Sequence, residues 1–444
     1  MGASFRETAD RLVEFAEQRM RANVVPGVQI GLISDGDERV ASLGIADITD
    51  GEAVEAHSMF RIASITKTFT AAAAVHLSSE GRLDLDAPVR KYVPEFTISD
   101  ESAAAKITTR HLLLHVSGWT PGDQPGPDGP LALAEGARQQ GNGQQVAPPG
   151  EYFSYNGAGH MVVGRVIEVV TGSLYEDAIR SMFLGPLGMQ RTMFTTEPAA
   201  YIAGDHTVRD GKPGTLVHPG GGRWGLPAGG LRSTAGDLLR WARCHFGESR
   251  LLEPGELRHM SEPRVDCAPP GERMALVWFV RDVGKERLLL HLGGAIGQQS
   301  LLALCPARRF ALTVLTNSAL GSGVINTVLD GAERELLGVE TPPAPAPRPM
   351  DVARFAEYEG RYETLGWDLV LARDGRSLTI GIIYKSVFTQ RSTPAPATIG
   401  FWDDDRVVGT DGWAKGQYGD FLRDAAGRVQ YFRWGPRACK RLPA

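Results

Sequence analysis

Cysteine is scarce in this chain. Four residues, Cys244, Cys267, Cys305 and Cys439, are scattered over 444 positions, and no two form a C-x-x-C pair. That spacing excludes a disulfide scaffold, and reduced buried thiols fit a cytoplasmic protein. H-E-x-x-H is missing too, with no paired Cys/His spacing, so no metal is expected. Long hydrophobic runs are absent, which leaves nothing to span a bilayer. Neither sign of charge dominates: 47 basic and 52 acidic residues are interspersed, for a formal net charge of −5. Nucleic acid and anionic membrane are therefore not expected as main partners. The first residues lack the apolar core of a signal peptide. Phe5, Leu12, Val13, Phe15 and Ala16 give an amphipathic helix instead.

The chain is long for one domain, and two are expected. After the first helix, Gly27 to Ile33 and Arg39 to Gly44 flank the turn Asp35-Gly36-Asp37 as a hairpin. Helices are predicted over Thr68 to His76, Ile107 to Leu114, His160 to Thr171 with Gly172 as its stop, and Thr234 to Phe246. Residues 120–150, rich in Gly, Pro and Gln, read as a long loop and a candidate lid over a site. Short apolar runs at Ala275 to Val280, Leu288 to His291, Gln299 to Cys305 and Phe310 to Leu315 read as antiparallel strands. A last helix follows from about Val324 to Leu337. Helices bracketing an antiparallel sheet make an α+β fold over residues 1–340. The run Thr341-Pro342-Pro343-Ala344-Pro345-Ala346-Pro347-Arg348-Pro349 opens a stiff linker, residues 341–350. Residues 351–444 show short strands separated by turns such as Asp374-Gly375 and Ala426-Gly427, the pattern of a small β-barrel or sandwich.

The chemistry concentrates in Phe60-Arg61-Ile62-Ala63-Ser64-Ile65-Thr66-Lys67. A serine and a lysine three apart share one face of a helix. Serine is a weak nucleophile until a base sits beside it, and a lysine taken out of water can be that base. Ser64 at the start of a helix would meet free N–H groups and the positive end of the dipole. Read alone, the pair is also a helix cap beside a surface lysine. Two further segments could complete a site. Tyr155, in Tyr152-Phe153-Ser154-Tyr155-Asn156-Gly157, precedes a helix and could move a proton between serine and a leaving group; alone it reads as a core tyrosine. His291-Leu292-Gly293-Gly294 carries a strand into glycines that let a substrate backbone approach. The N–H of Gly294 could join that of Ser64 as an oxyanion hole. His291 alone is an ordinary strand histidine, and His115 reads as helix-end packing.

Together these segments resemble the serine β-lactamase and penicillin-binding-protein superfamily in its class C-like branch, over residues 5–337. Ser64 to Lys67 matches its S-x-x-K motif, which implies a nucleophile and its base. Tyr155-Asn156-Gly157 matches Y-x-N but carries Gly157 where the family has asparagine; Asn156 beside it could substitute as a substrate contact. His291-Leu292-Gly293 matches the third motif, K-T-G or H-x-G. Ile107 to Gly118, Gly81 to Pro88 and Pro227 to Asp237 add family features. The chemistry implied needs no cofactor.

The C-terminal segment looks like the lipocalin-like domain attached to D-stereospecific peptidases and to penicillin-binding-protein-type thioesterases. The whole chain is most similar to the latter, the stand-alone peptide cyclases of nonribosomal peptide synthesis. That resemblance implies a cytoplasmic enzyme that takes a peptidyl thioester from a carrier protein onto serine. It would release a macrocycle with a D-residue at the acylated carbonyl. By the same resemblance Arg433 or Arg437 could hold a free carboxylate of the peptide, a bidentate task suited to arginine. The three motifs fit equally a D-specific aminopeptidase, amidase or esterase. An idle binding protein is disfavoured by the joint presence of Ser64, Lys67 and Tyr155.

Overall fold

The computed structural model describes residues 4–121, 126–209, 211–216, 222–268, 272–339, 345–364, 367–385 and 393–443. Its first helix, α1 (Phe5–Asn23), opens on a capping box: Ser4 Oγ accepts from the Glu7 N–H, and the Glu7 carboxylate accepts from the Ser4 N–H. Two of the free donors at the helix start are thereby satisfied. Strands β1 (Gly27–Ser34) and β2 (Asp37–Gly44) form the expected hairpin. Asp35 and Gly36 both take positive φ, 51° and 98°, as a two-residue turn matched to strand twist requires.

These strands close one side of an antiparallel sheet. The others are β3 (Val265–Ala268), β4 (Glu272–Met274), β5 (Phe279–Val283), β6 (Glu286–Ala295), β7 (Gln298–Cys305) and β8 (Phe310–Thr316), in the order β3-β4-β5-β6-β7-β8-β1-β2. Strands β1 and β8 are buried at every position, which is why β1 carries no polar alternation. On one face α1 packs with α6 (Ser322–Ala332), through Leu12, Ala16, Val28, Leu312 and Val328.

On the opposite face α5 (Ala235–His245) packs on β1 and β8, while α2 (Thr66–Ser79) and α4 (Gly157–Thr171) pack on each other in the same core, with α3 (Ala132–Arg138) packed on α4. Phe69 of α2 and Trp241 of α5 stack at 4.1 Å between ring centres. Helix α4 ends where the sequence predicts, on Gly172 at φ 73°. Among the described residues no helix is long and apolar enough to cross a membrane.

The C-terminal part is a closed antiparallel barrel: β9 (Gly360–Glu363), β10 (Trp367–Asp374), β11 (Ser377–Tyr384), β12 (Ala397–Asp403), β13 (Arg406–Gly409), β14 (Tyr418–Arg423), β15 (Val429–Trp434) and β16 (Arg437–Arg441). Pairing of Tyr362 with Arg441 and Glu363 with Lys440 closes it. Tyr358, Tyr362, Phe401, Phe421 and Phe432 fill its interior, with Phe421 and Phe432 stacked at 4.5 Å. Residues 341–344 of the linker lie outside the described residues. From residue 345 the linker runs along the barrel, where the Arg348 N–H donates to the Phe401 carbonyl at 2.6 Å.

Three local expectations change. The segment 120–150 is not loop throughout: Ala132–Arg138 is helical, and Ala132, Leu133 and Ala137 are buried. Good helix formers there were hidden by the Gly and Pro on either side; residues 122–125 of the candidate lid lie outside the described residues. The strand predicted at Ala275 begins only at Phe279. Ala275 to Trp278 is a buried turn, with Val277 at φ 80° and the Ala275 N–H bonded to the Trp278 carbonyl. Its apolar residues mimic a strand because the turn lies inside the core. Finally, Ser64 lies two residues before the α-helix. Ala63–Ile65 form a 3₁₀ turn and α2 begins at Thr66.

Candidate active site

The 3₁₀ turn carrying Ser64 is clamped from several sides. Phe60 and Arg61 pair with Ser233 and Arg232 as short strands, and Thr66 Oγ1 accepts from the Leu231 N–H at 3.1 Å. Ala63, just before the serine, holds a positive φ of 43°, a conformation that costs a non-glycine residue about 1–2 kcal/mol. Lys67, on the first turn of α2, is 2 % exposed. Its Nζ lies 2.8 Å from Ser64 Oγ and donates to the Ala228 carbonyl at 2.6 Å. The serine–lysine pair expected from spacing is thus a direct contact, and the Ala228 carbonyl fixes where the amine points. Sequence reasoning had no access to Ala228, which acts through its backbone.

Strand β6 runs past this turn. Ser300 Oγ donates to the Ile62 carbonyl at 3.1 Å. A Cβ on Gly293 would sit 2.1 Å from Ser300 Oγ and 2.2 Å from the Ile62 carbonyl oxygen. The Cβ side of Gly293 is therefore filled by packing against the Ser64 segment, and the close approach of that backbone requires glycine here. A Cβ on Gly294 would meet only the Gln299 side chain, at 3.5 Å, so this residue keeps an open face beside the same segment. His291 is buried. Its Nδ1 lies 2.8 Å from the Leu292 carbonyl, an acceptor, so Nδ1 carries the proton and Nε2 the lone pair. Among the described residues Nε2 has no hydrogen-bond partner. Burial, then the charge of Lys67, push the His291 pKa down to about 3, so the ring stays neutral.

Tyr155 stands on the segment leading into α4. The Lys67 Nζ lies over its ring, 5.2 Å from the centre. The His115 ring lies against it, tilted by 31° with centres 4.3 Å apart, Phe279 lies near-parallel at 6.3 Å, and His291 is 6.5 Å away. His291 makes no hydrogen bond to Tyr155 or Lys67 among the described residues. Asn156 is the N-cap of α4: its side-chain oxygen accepts from the Ala158 N–H at 2.9 Å, and its amide nitrogen donates to the Trp119 carbonyl at 2.7 Å. With its amide held by the protein, Asn156 does not replace the missing family asparagine. Gly157 leaves open space at that position, with nothing nearer than Ala228 at 4.0 Å.

Strands β15 and β16 and the turn between them bring the barrel to this site. The Pro436 carbonyl accepts from the Tyr155 N–H at 2.8 Å, and the Ala438 N–H donates to Ser154 Oγ at 3.2 Å. The Tyr431 hydroxyl donates to the Val146 carbonyl nearby. Between the helices and the barrel lies a cavity of about 620 Å³, walled by Tyr155, Gly157, Met161, Trp224 and Arg437 among others. The two arginines flanking the turn part company. Arg433 is buried in a two-pronged ion pair with Asp420, at 2.7 and 2.5 Å, and donates to the Asp266 carbonyl at 3.3 Å. It is not free for a substrate. Arg437 faces the cavity, its guanidinium 5.9 Å from the Tyr155 ring centre and 5.4 Å from that of Trp367. Among the described residues no carboxylate lies within ion-pair distance of it.

A serine hydroxyl touching a buried lysine amine, beside a tyrosine and a glycine strand, is an acyl-transfer geometry. The sequence profile of the β-lactamase family matches residues 12–330. The chain belongs to the β-lactamase family. Penicillin-binding protein 4 of Amycolatopsis lactamdurans is 29 % identical over 368 residues, covering 77 % of this chain and 94 % of that protein. The crystal structure of SurE superposes over 99 % of this chain and 100 % of its own, at 25 % identity and a TM-score of 0.81. SurE solved with D-Leu covers 98 % of this chain and 100 % of that one, at the same identity and a TM-score of 0.77. A class C β-lactamase covers 74 % of this chain and 98 % of its own, at 19 % identity and a TM-score of 0.63. That last likeness shows the fold of the β-lactamase part alone. The SurE likeness extends across the barrel as well.

Proposed function

We propose that this β-lactamase-family enzyme is a stand-alone thioesterase and peptide cyclase acting in the cytoplasm on carrier-bound peptidyl thioesters. Ser64 Oγ attacks the thioester carbonyl while Lys67 Nζ takes its proton. The N–H groups of Ser64 and Gly294 receive the oxyanion, and Tyr155 passes a proton to the departing thiol. The peptide's own amine then gives up a proton to the Tyr155–Lys67 pair and attacks the ester, releasing a ring and restoring Ser64. Arg437 holds a free carboxylate of the peptide near its attacking end.

The observation that carries this reading is the cavity beside Tyr155, walled jointly by the helices and the barrel. An amine kept there next to the ester has a high effective concentration and outruns water. The full-length likeness to SurE supports it, and the D-Leu in one SurE structure supports a D-residue at the acylated carbonyl. Four unpaired, buried cysteines support a reducing compartment.

The test is a linear peptide with a C-terminal D-residue, presented as a small thioester and followed by chromatography with mass detection. The expected main product is the head-to-tail ring, lighter than the hydrolysed acid by one water, with the matching L-residue thioester much slower. Linear acid alone across several D-terminated peptides would assign the enzyme to D-specific hydrolysis instead.

A further inference from the structure

His115 lies directly after the short helix Thr109–Leu113, in the left-handed region at φ 57°. Side chains with a Cβ avoid that region unless the surroundings hold them there. What holds His115 is the segment bearing Tyr155. The His115 carbonyl accepts from the Ser154 N–H at 2.9 Å. Its Nδ1 accepts from the Asn156 N–H at 3.0 Å. These two bonds fall on the residues either side of Tyr155, and the imidazole lies against the phenol ring with centres 4.3 Å apart.

Nδ1 can accept only while it is unprotonated. The ring is 1 % exposed. Burial, then the charge of Lys67, hold its pKa well below the usual imidazole value, so the acceptor is kept. His160, equally buried, sits behind it at 4.9 Å and backs the ring with a second imidazole.

We propose that His115 is a positioning residue for Tyr155, bracketing its backbone with two hydrogen bonds and supporting its ring from one side, so that the tyrosine is held beside the Lys67 amine. The inference rests on the proposed proton transfer by Tyr155. It adds a residue that touches neither Ser64 nor Lys67 by hydrogen bond and acts on the reaction only through the tyrosine.

The experiment compares His115→Asn and His115→Phe in the full chain, alone and combined with Tyr155→Phe, using a small D-terminated peptidyl thioester. Asparagine places Oδ1 where Nδ1 stood and tolerates positive φ; phenylalanine keeps the ring and removes the acceptor. His115→Phe should lower kcat roughly ten- to a hundredfold with KM unchanged, less than the roughly 10²–10⁴-fold of a positioned proton donor itself. His115→Asn should recover most of that loss. In the Tyr155→Phe background neither change should lower kcat further, since nothing is left to position. If His115→Phe does not fold by thermal melting, His115→Leu, which also lacks an acceptor, takes its place. Wild-type kcat in the acceptor-free variant, an equal loss in His115→Asn, or a further loss on top of Tyr155→Phe would each overturn the inference. Wild-type kcat in Tyr155→Phe alone would instead remove the tyrosine from the mechanism, a separate failure of the underlying reading.

Discussion

The β-lactamase part and the barrel contribute to the cavity in opposite ways. Around Ser64 the reactive groups are fixed one by one: Lys67 by the Ala228 carbonyl, the Ser64 turn by Leu231 and Ser300, Asn156 by Trp119 and Ala158. The barrel is built around its own aromatic interior and offers the site its outer rim: the turn from Trp434 to Arg437, with Glu363, Lys385 and Lys440 beside it. One region supplies groups whose mutual distance decides whether a bond breaks. The other supplies a wall carrying Arg437, Lys385 and Lys440, which on the proposed function decides what is held nearby when it does. Defects in the first should therefore appear as lost chemistry, and defects in the second as altered partition or stability.

The sharpest separation comes from the nucleophile. Ser64→Ala should lower acylation by several orders of magnitude and leave no covalent adduct by intact mass after a peptidyl thioester or fluorophosphonate. Lys67→Ala and Tyr155→Phe should each come close to that loss, and the double variant should be little worse than either. A strictly multiplicative double variant would show two independent roles in place of one proton-transfer unit.

A step smaller is the glycine pair. Gly293→Ala forces Cβ into Ser300 Oγ and the Ile62 carbonyl and should displace the Ser64 turn, lowering both melting temperature and acylation rate. Gly294→Ala has ordinary room and should stay close to wild type in both. Equal tolerance at the two positions would mean that β6 does not set the position of the serine.

The arginines test the barrel side. Arg433→Ala strands Asp420 in a buried place and should cost about 3–5 kcal/mol in denaturant unfolding, whatever it does to turnover. Arg437→Ala should leave stability within about 0.5 kcal/mol and lower turnover only of peptides with a free carboxylate near the attacking amine. Identical stability losses in both would erase the contrast between an arginine that ties the barrel and one that faces the cavity.

How much of this was legible in the sequence follows from range. The S-x-x-K pair lies within one turn, so its spacing alone brings Ser64 and Lys67 into contact. Alternation, caps and Gly172 locate most helices and strands, because those signals are local. The turn at Ala275 to Trp278 and the helix at Ala132 were not legible, since core burial and flanking breakers disguise both. Nor were the partners of Tyr155. His115 and Pro436 are distant in the chain and meet it only through the docking of separate elements. Arg433 and Arg437 share a turn and a chemistry in the sequence; only Asp420, on the neighbouring strand, makes one of them structural.

The bond from the Tyr155 N–H to the Pro436 carbonyl also sets an order of assembly. A chain emerging from the ribosome completes Ser64, Lys67 and Tyr155 long before the barrel turn exists, and N-terminal domains fold first. For that interval the cavity beside Tyr155 lacks the wall that the barrel gives it, on the side where the proposed reaction would hold an amine. On the proposed function, the part-made enzyme would hydrolyse its acyl-serine, and ring closure would be a property acquired last, when the final hairpin of the barrel seats against the tyrosine.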